Sequence, residues 1–165
     1  ECIEQLNEIN VIPDIVLCCC GGGGLIAGIS TAVKQIFKNA KIYSVEPENF
    51  DDTKKSLEKN SIISNSMKHK SICDALLAEK PGKITFKINR LNLTSGIAVT
   101  DQEVLIAMNT AFRHFKIVLE PGGAVALAAA IFRKIDIRDK NVLVIASGGN
   151  VDKVIFEKCL SQREI

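Results

Sequence analysis

Tryptophan is absent from this 165-residue chain, tyrosine occurs once and aromatics make up only 5%, so its core has to be aliphatic. No apolar run approaches the ~20 residues that a membrane-spanning helix needs. The N-terminus has neither the basic start nor the apolar segment of a secretory signal. An excess of one charge is missing too: 21 basic against 19 acidic residues leave a net charge of +2. The basic residues are scattered, with no stripe suited to a phosphate backbone, and the KHK run at Lys68 to Lys70 reads as a solvated loop. Neither nucleic acid nor membrane is expected as a partner. Six cysteines are present, but without the spacing of a disulfide or zinc framework. Cys18, Cys19 and Cys20 are adjacent, and neighbouring strand residues face opposite ways. Cys2, Cys73 and Cys159 form no CxxC or Cys/His motif. Reduced thiols acting as small hydrophobes in a cytoplasmic protein are the expectation.

What is present is an alternation of apolar runs and glycine turns. Residues 1–9 read as the end of a helix, with Ile3, Leu6 and Ile9 three apart. Asp14 to Cys20 (DIVLCCC) is an unbroken apolar run, as expected of a strand covered on both faces. Four glycines follow, and then Leu25, Ile29, Val33 and Phe37 recur at helical spacing. Lys41 to Val45 reads as a second strand, which completes a βαβ unit. The polar middle predicts a short helix over DDTKKSLEK and a short strand over KITFKI. At Thr100, TDQE is a capping box: the Thr100 hydroxyl can accept from the Glu103 N–H while the Glu103 carboxylate reaches back. The helix behind it extends through Val104, Leu105, Met108, Ala111 and Phe112. Pro121 opens a helix that is small and apolar on nearly every side. NVLVIA (Asn141 to Ala146) reads as another buried strand, ending in a second glycine turn, SGGN. The expected fold is α/β, an open twisted, mostly parallel sheet with helices on both faces. Ligands in such folds bind at the carboxyl ends of the strands.

A glycine turn between a buried strand and a helix lets backbone N–H groups approach an anion closely, and the helix N-terminus favours the same anion. Four glycines in a row exceed what a tight turn requires, so phosphate is the expected guest. No Gly-Lys-Ser/Thr follows, which excludes a P-loop. A dinucleotide remains open: Gly22, Gly24 and Ala27 satisfy GxGxxA, and Glu46 stands at the end of the second strand, where a ribose-binding acid belongs.

Five blocks in order, GGGGLIAG (21–28), VEPENFDD (45–52), SICDALL (71–77), EPGGAVALAA (120–129) and SGGNVD (147–152), resemble the C-terminal half of the large domain of fold type II pyridoxal-phosphate enzymes. The resemblance is to the threonine/serine dehydratase and serine racemase branch of the tryptophan-synthase-β-like fold, and covers essentially the whole chain. It implies that Gly21, Gly22, Gly23, Gly24 and the Leu25 N–H cradle the cofactor phosphate. It implies that Ser147, followed by Gly148, faces the pyridine nitrogen and that Glu120 orients the ring. It places Asp74 on the substrate side, although Cys73 and Ala75 depart from the family's Ala-Asp-Gly. It further implies a divalent cation, Mg²⁺ or Ca²⁺, held by Glu46, the Phe50 carbonyl and Asp52; all-oxygen ligands suit either ion.

The implied activity is dehydration and deamination of L-threonine or L-serine to a 2-oxo acid and ammonia, with racemisation as the sibling outcome and a dinucleotide-binding oxidoreductase as the unrelated alternative. The family's Schiff-base lysine, carried in an upstream Ser-x-Lys motif, is not found; Ser66-Met67-Lys68 stands in the wrong order relative to the glycine loop. Residues 1–165 are therefore expected to be a single cofactor-binding fragment without the catalytic-lysine region, inactive alone, acting on a small amino acid and, at full length, forming a homo-oligomer.

Overall fold

The structure is a computed structural model and describes residues 1–163. Among these residues four parallel strands form one sheet: β1 (Ile15–Cys19), β2 (Lys41–Pro47), β3 (Ser95–Val99) and β4 (Val142–Val144). Their spatial order is β3-β2-β1-β4, with β1 paired to β2 from Ile15–Lys41 to Cys19–Val45. All five residues of β1 are buried, because this central strand is covered on both faces. Ile15, Leu17 and Cys19 join one core cluster, Val16, Cys18 and Cys20 the other. The strand's period of two thus sends adjacent cysteines to opposite faces, and all six cysteines are free thiols.

Seven helices among the described residues cover the sheet: α1 (Cys2–Glu8), α2 (Gly24–Ile36), α3 (Asp52–Lys59), α4 (Lys83–Asn92), α5 (Asp101–Thr110), α6 (Pro121–Ile131) and α7 (Lys153–Leu160). Residues of α5, α6 and α7 share one core cluster, those of α1 and α2 the other. Helix α6 buries eight of its eleven residues, which explains why it carries almost no polar face. Helix α5 starts at the capping box, with Thr100 Oγ1 accepting from Glu103 N at 3.2 Å and Glu103 Oε2 accepting from Thr100 N at 2.8 Å. Among the described residues no helix is long and apolar enough to cross a membrane.

Three sequence expectations are corrected. KITFKI lies in helix α4, not in a strand. Its alternation of Ile84, Phe86 and Ile88 mimics period two. The buried pair is instead Phe86 and Asn89, three apart on one helical face, while Ile84 is 77% exposed. The strand of this region is β3, just ahead of Thr100, which the sequence pattern does not single out. NVLVIA shrinks to the three-residue β4, half-buried because it lies at an edge of the sheet. Finally, α5 stops at Thr110 and a π-helical turn spans Ala111–Phe115, leaving Phe112 38% exposed.

Candidate functional site

The carboxyl ends of the parallel strands open onto a cavity of about 230 Å³. The glycine loop after β1, Gly21 to Gly24, forms one wall, and Leu25 adjoins it at the start of α2. Glu120 and Gly122 at the head of α6, Ala75 and Leu76 of a short 3-10 turn, and Ser147 after β4 complete the lining with Cys19 and Cys20. Seven of the eight residues expected to hold the cofactor thus line one space, although the two glycine turns are more than 120 residues apart. The eighth, Gly148, is not among the lining residues and packs against the Glu120 carboxylate.

The glycines differ in what requires them. A Cβ on Gly22 or Gly24 would meet no described protein atom within 4 Å, so the space beside them is open to a ligand. Gly23 has φ +88°, a left-handed conformation that costs other residues. Gly21 faces the 3-10 turn, where its Cβ would stand 3.3 Å from the Ala75 carbonyl. The α2 N-terminus directs its unbonded N–H groups toward the same end of the helix. Open room, bare backbone and a helix dipole suit an anion with several acceptor oxygens, as a phosphate has.

The second glycine turn is tied to α6. Glu120 N donates to Gly148 O at 2.9 Å, and Glu120 Oε2 accepts from Asn150 N at 3.0 Å. A Cβ on Gly148 would fall 2.6 Å from Glu120 Oε1, and one on Gly123 would fall 2.5 Å from Gly148 O. These two glycines are required by close approach, and they bring the Glu120 carboxylate against the turn. Ser147 Oγ lies 3.1 Å from Cys19 Sγ, a contact that sequence reading missed because the partners are separated by most of the chain. Among the described residues Ser147 is the only side-chain partner of the Cys19 thiol, while Cys18, on the opposite face of the strand, turns its own thiol to the Cys19 carbonyl at 3.4 Å. Burial pushes the Cys73 thiol up to about 12.

Asp74 does not reach this cavity. Its carboxylate accepts from Ala75 N at 2.9 Å, and it lines a neighbouring depression of about 280 Å³ with Ile72, Pro121, Asn150 and Asp152. The 3-10 turn presents Ala75 and Leu76 to the cavity instead.

Glu46 is fully buried, and its two carboxylate oxygens accept from Thr53 N at 2.7 Å and Lys54 N at 2.8 Å. It caps the start of α3 from the end of β2 and has no exposed surface for a ribose to reach, so the dinucleotide alternative fails on this residue. Asp52 is buried beside it. Its Oδ1 accepts from Asn65 Nδ2 at 2.6 Å, while Oδ2 has no hydrogen-bond partner among the described residues. Burial, then the Asp52 charge, pushes Glu46 well above the usual carboxylate range, and burial raises Asp52 to about 6. Phe50 between them is 1% exposed. Among the described residues no cluster of three or more His, Cys, Asp and Glu side chains gathers for a metal. The expected cation set has only two such side chains, and the unpartnered Asp52 oxygen is the feature that fits it.

A parallel sheet with glycine turns and a ligand cavity at its carboxyl edge defines an α/β cofactor-binding class. The fold matches a T.th. threonine deaminase with a TM-score of 0.85 and 35% identity, over 92% of this chain and 54% of that one. Maize serine racemase superimposes with a TM-score of 0.82 and 30% identity, over 94% of this chain and 50% of that one. The family model described as pyridoxal-phosphate dependent enzyme matches residues 1–148, and the chain belongs to that family, with the type II fold. The L-threo-3-hydroxyaspartate ammonia-lyase of Saccharomyces cerevisiae is 33% identical over 98% of this chain and 49% of its own length. The serine racemase of Dictyostelium discoideum is 35% identical over 98% of this chain and 49% of its own. The chain thus spans about half the length of these curated relatives.

Proposed function

We propose that this chain forms the phosphate and ring side of the active site of an amino-acid ammonia-lyase acting on L-threonine or L-serine. The observation that carries the proposal is the single cavity lined by Gly21–Gly24, Glu120 and Ser147, at the end of the sheet where the family's cofactor belongs. When bound, pyridoxal phosphate draws electrons from the substrate Cα, which eases loss of the Cα proton and of a β-hydroxyl. The chain's own residues supply position and polarity. The glycine-loop N–H groups and the head of α2 hold the phosphate. Ser147 offers the ring nitrogen a neutral hydroxyl, which does not demand a protonated ring as a carboxylate would. That suits a reaction in which the β-leaving group departs promptly. Glu120 fixes the SGGN turn that carries Ser147 and orients the ring. Glu46, the Phe50 carbonyl and Asp52 form the proposed Mg²⁺ or Ca²⁺ site at the start of α3, with the buried, unpartnered Asp52 Oδ2 as its uncommitted ligand atom.

Racemisation is the second reading, favoured by the serine racemases at 34–35% identity among the relatives. The Schiff-base lysine is not among these residues and is expected elsewhere in the complete enzyme, which we infer to be a cytoplasmic homo-oligomer. The test is to incubate the natively expressed protein with pyridoxal phosphate and L-threonine or L-serine, and to follow 2-oxo acid, ammonia and D-serine. Release of 2-oxo acid with ammonia is the expected result. D-Serine without 2-oxo acid would move the assignment to a racemase, and a protein that takes up no pyridoxal phosphate would end both readings.

A further inference from the structure

Helix α4, which the sequence disguises as a strand, braces the glycine loop from outside. No residue of α4 lines the cavity. The Gly22 carbonyl accepts from Gly82 N at 3.1 Å and, at 2.7 Å, is the nearer of the two carbonyls within reach of the Thr85 hydroxyl, Gly82 O standing at 3.0 Å. The Gly23 carbonyl accepts the first bond of α2, from Ala27 N at 3.1 Å, and lies 3.4 Å from Asn89 Nδ2. The described chain has no cis peptide, and a planar trans peptide points its N–H opposite to its C=O. Drawing the Gly22 and Gly23 carbonyls toward α4 therefore turns the N–H groups of Gly23 and Gly24 away from α4, to the side where these glycines line the cavity.

The absence of side chains makes this approach possible. A Cβ on Gly23 would stand 2.8 Å from Asn89 Nδ2 and 3.1 Å from Thr85 Oγ1; one on Gly82 would stand 2.8 Å from Thr85 Oγ1. Asn89 is fully buried and its Oδ1 has no partner among the described residues. Leaving a buried acceptor unpaired is destabilising, a loss that an apolar residue at this position would avoid. The amide's donated contact to the loop is what such a residue could not supply.

We propose that Thr85 and Asn89 are positioning residues that hold the glycine loop in its anion-binding conformation, so that α4 sets the affinity for the phosphate end of the cofactor. The proposal rests on the reading of this loop as the phosphate cradle, and its test separates the two. Equilibrium dialysis of the natively expressed protein would compare pyridoxal phosphate with pyridoxal, which lacks the phosphate. Wild-type protein should prefer pyridoxal phosphate. Thr85→Val removes one donor from Gly22 O and should weaken pyridoxal phosphate binding by about 5–10-fold while changing pyridoxal less than about two-fold. Thr85→Ser should restore the preference, and Asn89→Leu should lower it while the protein still melts cooperatively. A folded Thr85→Val or Asn89→Leu variant with the wild-type preference would overturn the positioning role, and Asn89→Leu decides if Thr85→Val fails to fold. Wild-type protein that does not distinguish the two ligands would instead overturn the phosphate cradle itself.

Discussion

Gly123→Ala sets two physical effects against each other. Gly123 lies in the first turn of α6, and replacing a helical glycine by alanine ordinarily stabilises by about 1 kcal/mol. Here the new Cβ would fall 2.5 Å from Gly148 O and 2.8 Å from Gly148 N. Both atoms are backbone, and the turn they belong to is held by the bonds from Glu120 N to Gly148 O and from Asn150 N to Glu120 Oε2. Relief requires α6 and the SGGN turn to separate by several tenths of an ångström. Overpacking of this kind costs about 1–3 kcal/mol, so the net change should be destabilising by up to about 2 kcal/mol. For a domain of this size that lowers Tm by up to roughly 8 °C. Thermal melts followed by circular dichroism measure it, with Gly122→Ala as the control. At Gly122 the nearest atom is the Leu76 side-chain Cγ at 3.3 Å, which can yield, so that variant should stay within about 1 kcal/mol of wild type. Pyridoxal phosphate affinity should fall in Gly123→Ala, because the displaced turn carries Ser147. A higher Tm for Gly123→Ala than for wild type would refute the close-packing argument.

Other perturbations have defined outcomes. Thr100→Ala removes the acceptor for Glu103 N and should cost about 1 kcal/mol in urea unfolding; an unchanged midpoint would mean the cap is already redundant. Asp52 has a folded-state pKa raised from 3.8 to about 6, so the stability its protonated form contributes is fully present below about pH 4 and lost as the pH rises through about 6. A melt series in chelator should show this loss, on the order of 2 kcal/mol, with Mg²⁺ or Ca²⁺ restoring Tm at about pH 7 but not at about pH 4. Equal cation effects on wild type and Asp52→Asn would exclude the carboxylate as a ligand. Cys19 lines the cavity beside Ser147, so pyridoxal phosphate should slow its alkylation by iodoacetamide in peptide mass maps, while exposed Cys2 continues to react at its usual rate.

Local signals were legible in the sequence wherever one segment contains the whole cause. The unbroken run into Cys20 defines a central strand, TDQE defines a helix start, and the small apolar face of residues 121–131 defines a buried helix. The glycine loop and SGGN were legible as turns, and the five ordered blocks as a family. KITFKI was misread because over six residues periods of two and 3.6 select overlapping apolar positions, and burial of Asn89 is visible only once α2 is in place.

Most of the order of strands and helices, the glycine turns and their chemistry follow from the sequence without further help, because bare backbone and helix starts are properties of neighbouring residues. Which of these turns share a cavity is a tertiary matter, since parallel pairing brings the ends of β1 and β4 together across more than 120 residues. So is the fact that Asp74 points elsewhere, that Glu46 caps α3, and that α4 braces the loop. Each of these depends on which backbone N–H, carbonyl or side chain arrives from a distant segment, and contacts between distant segments leave no periodic trace in the chain.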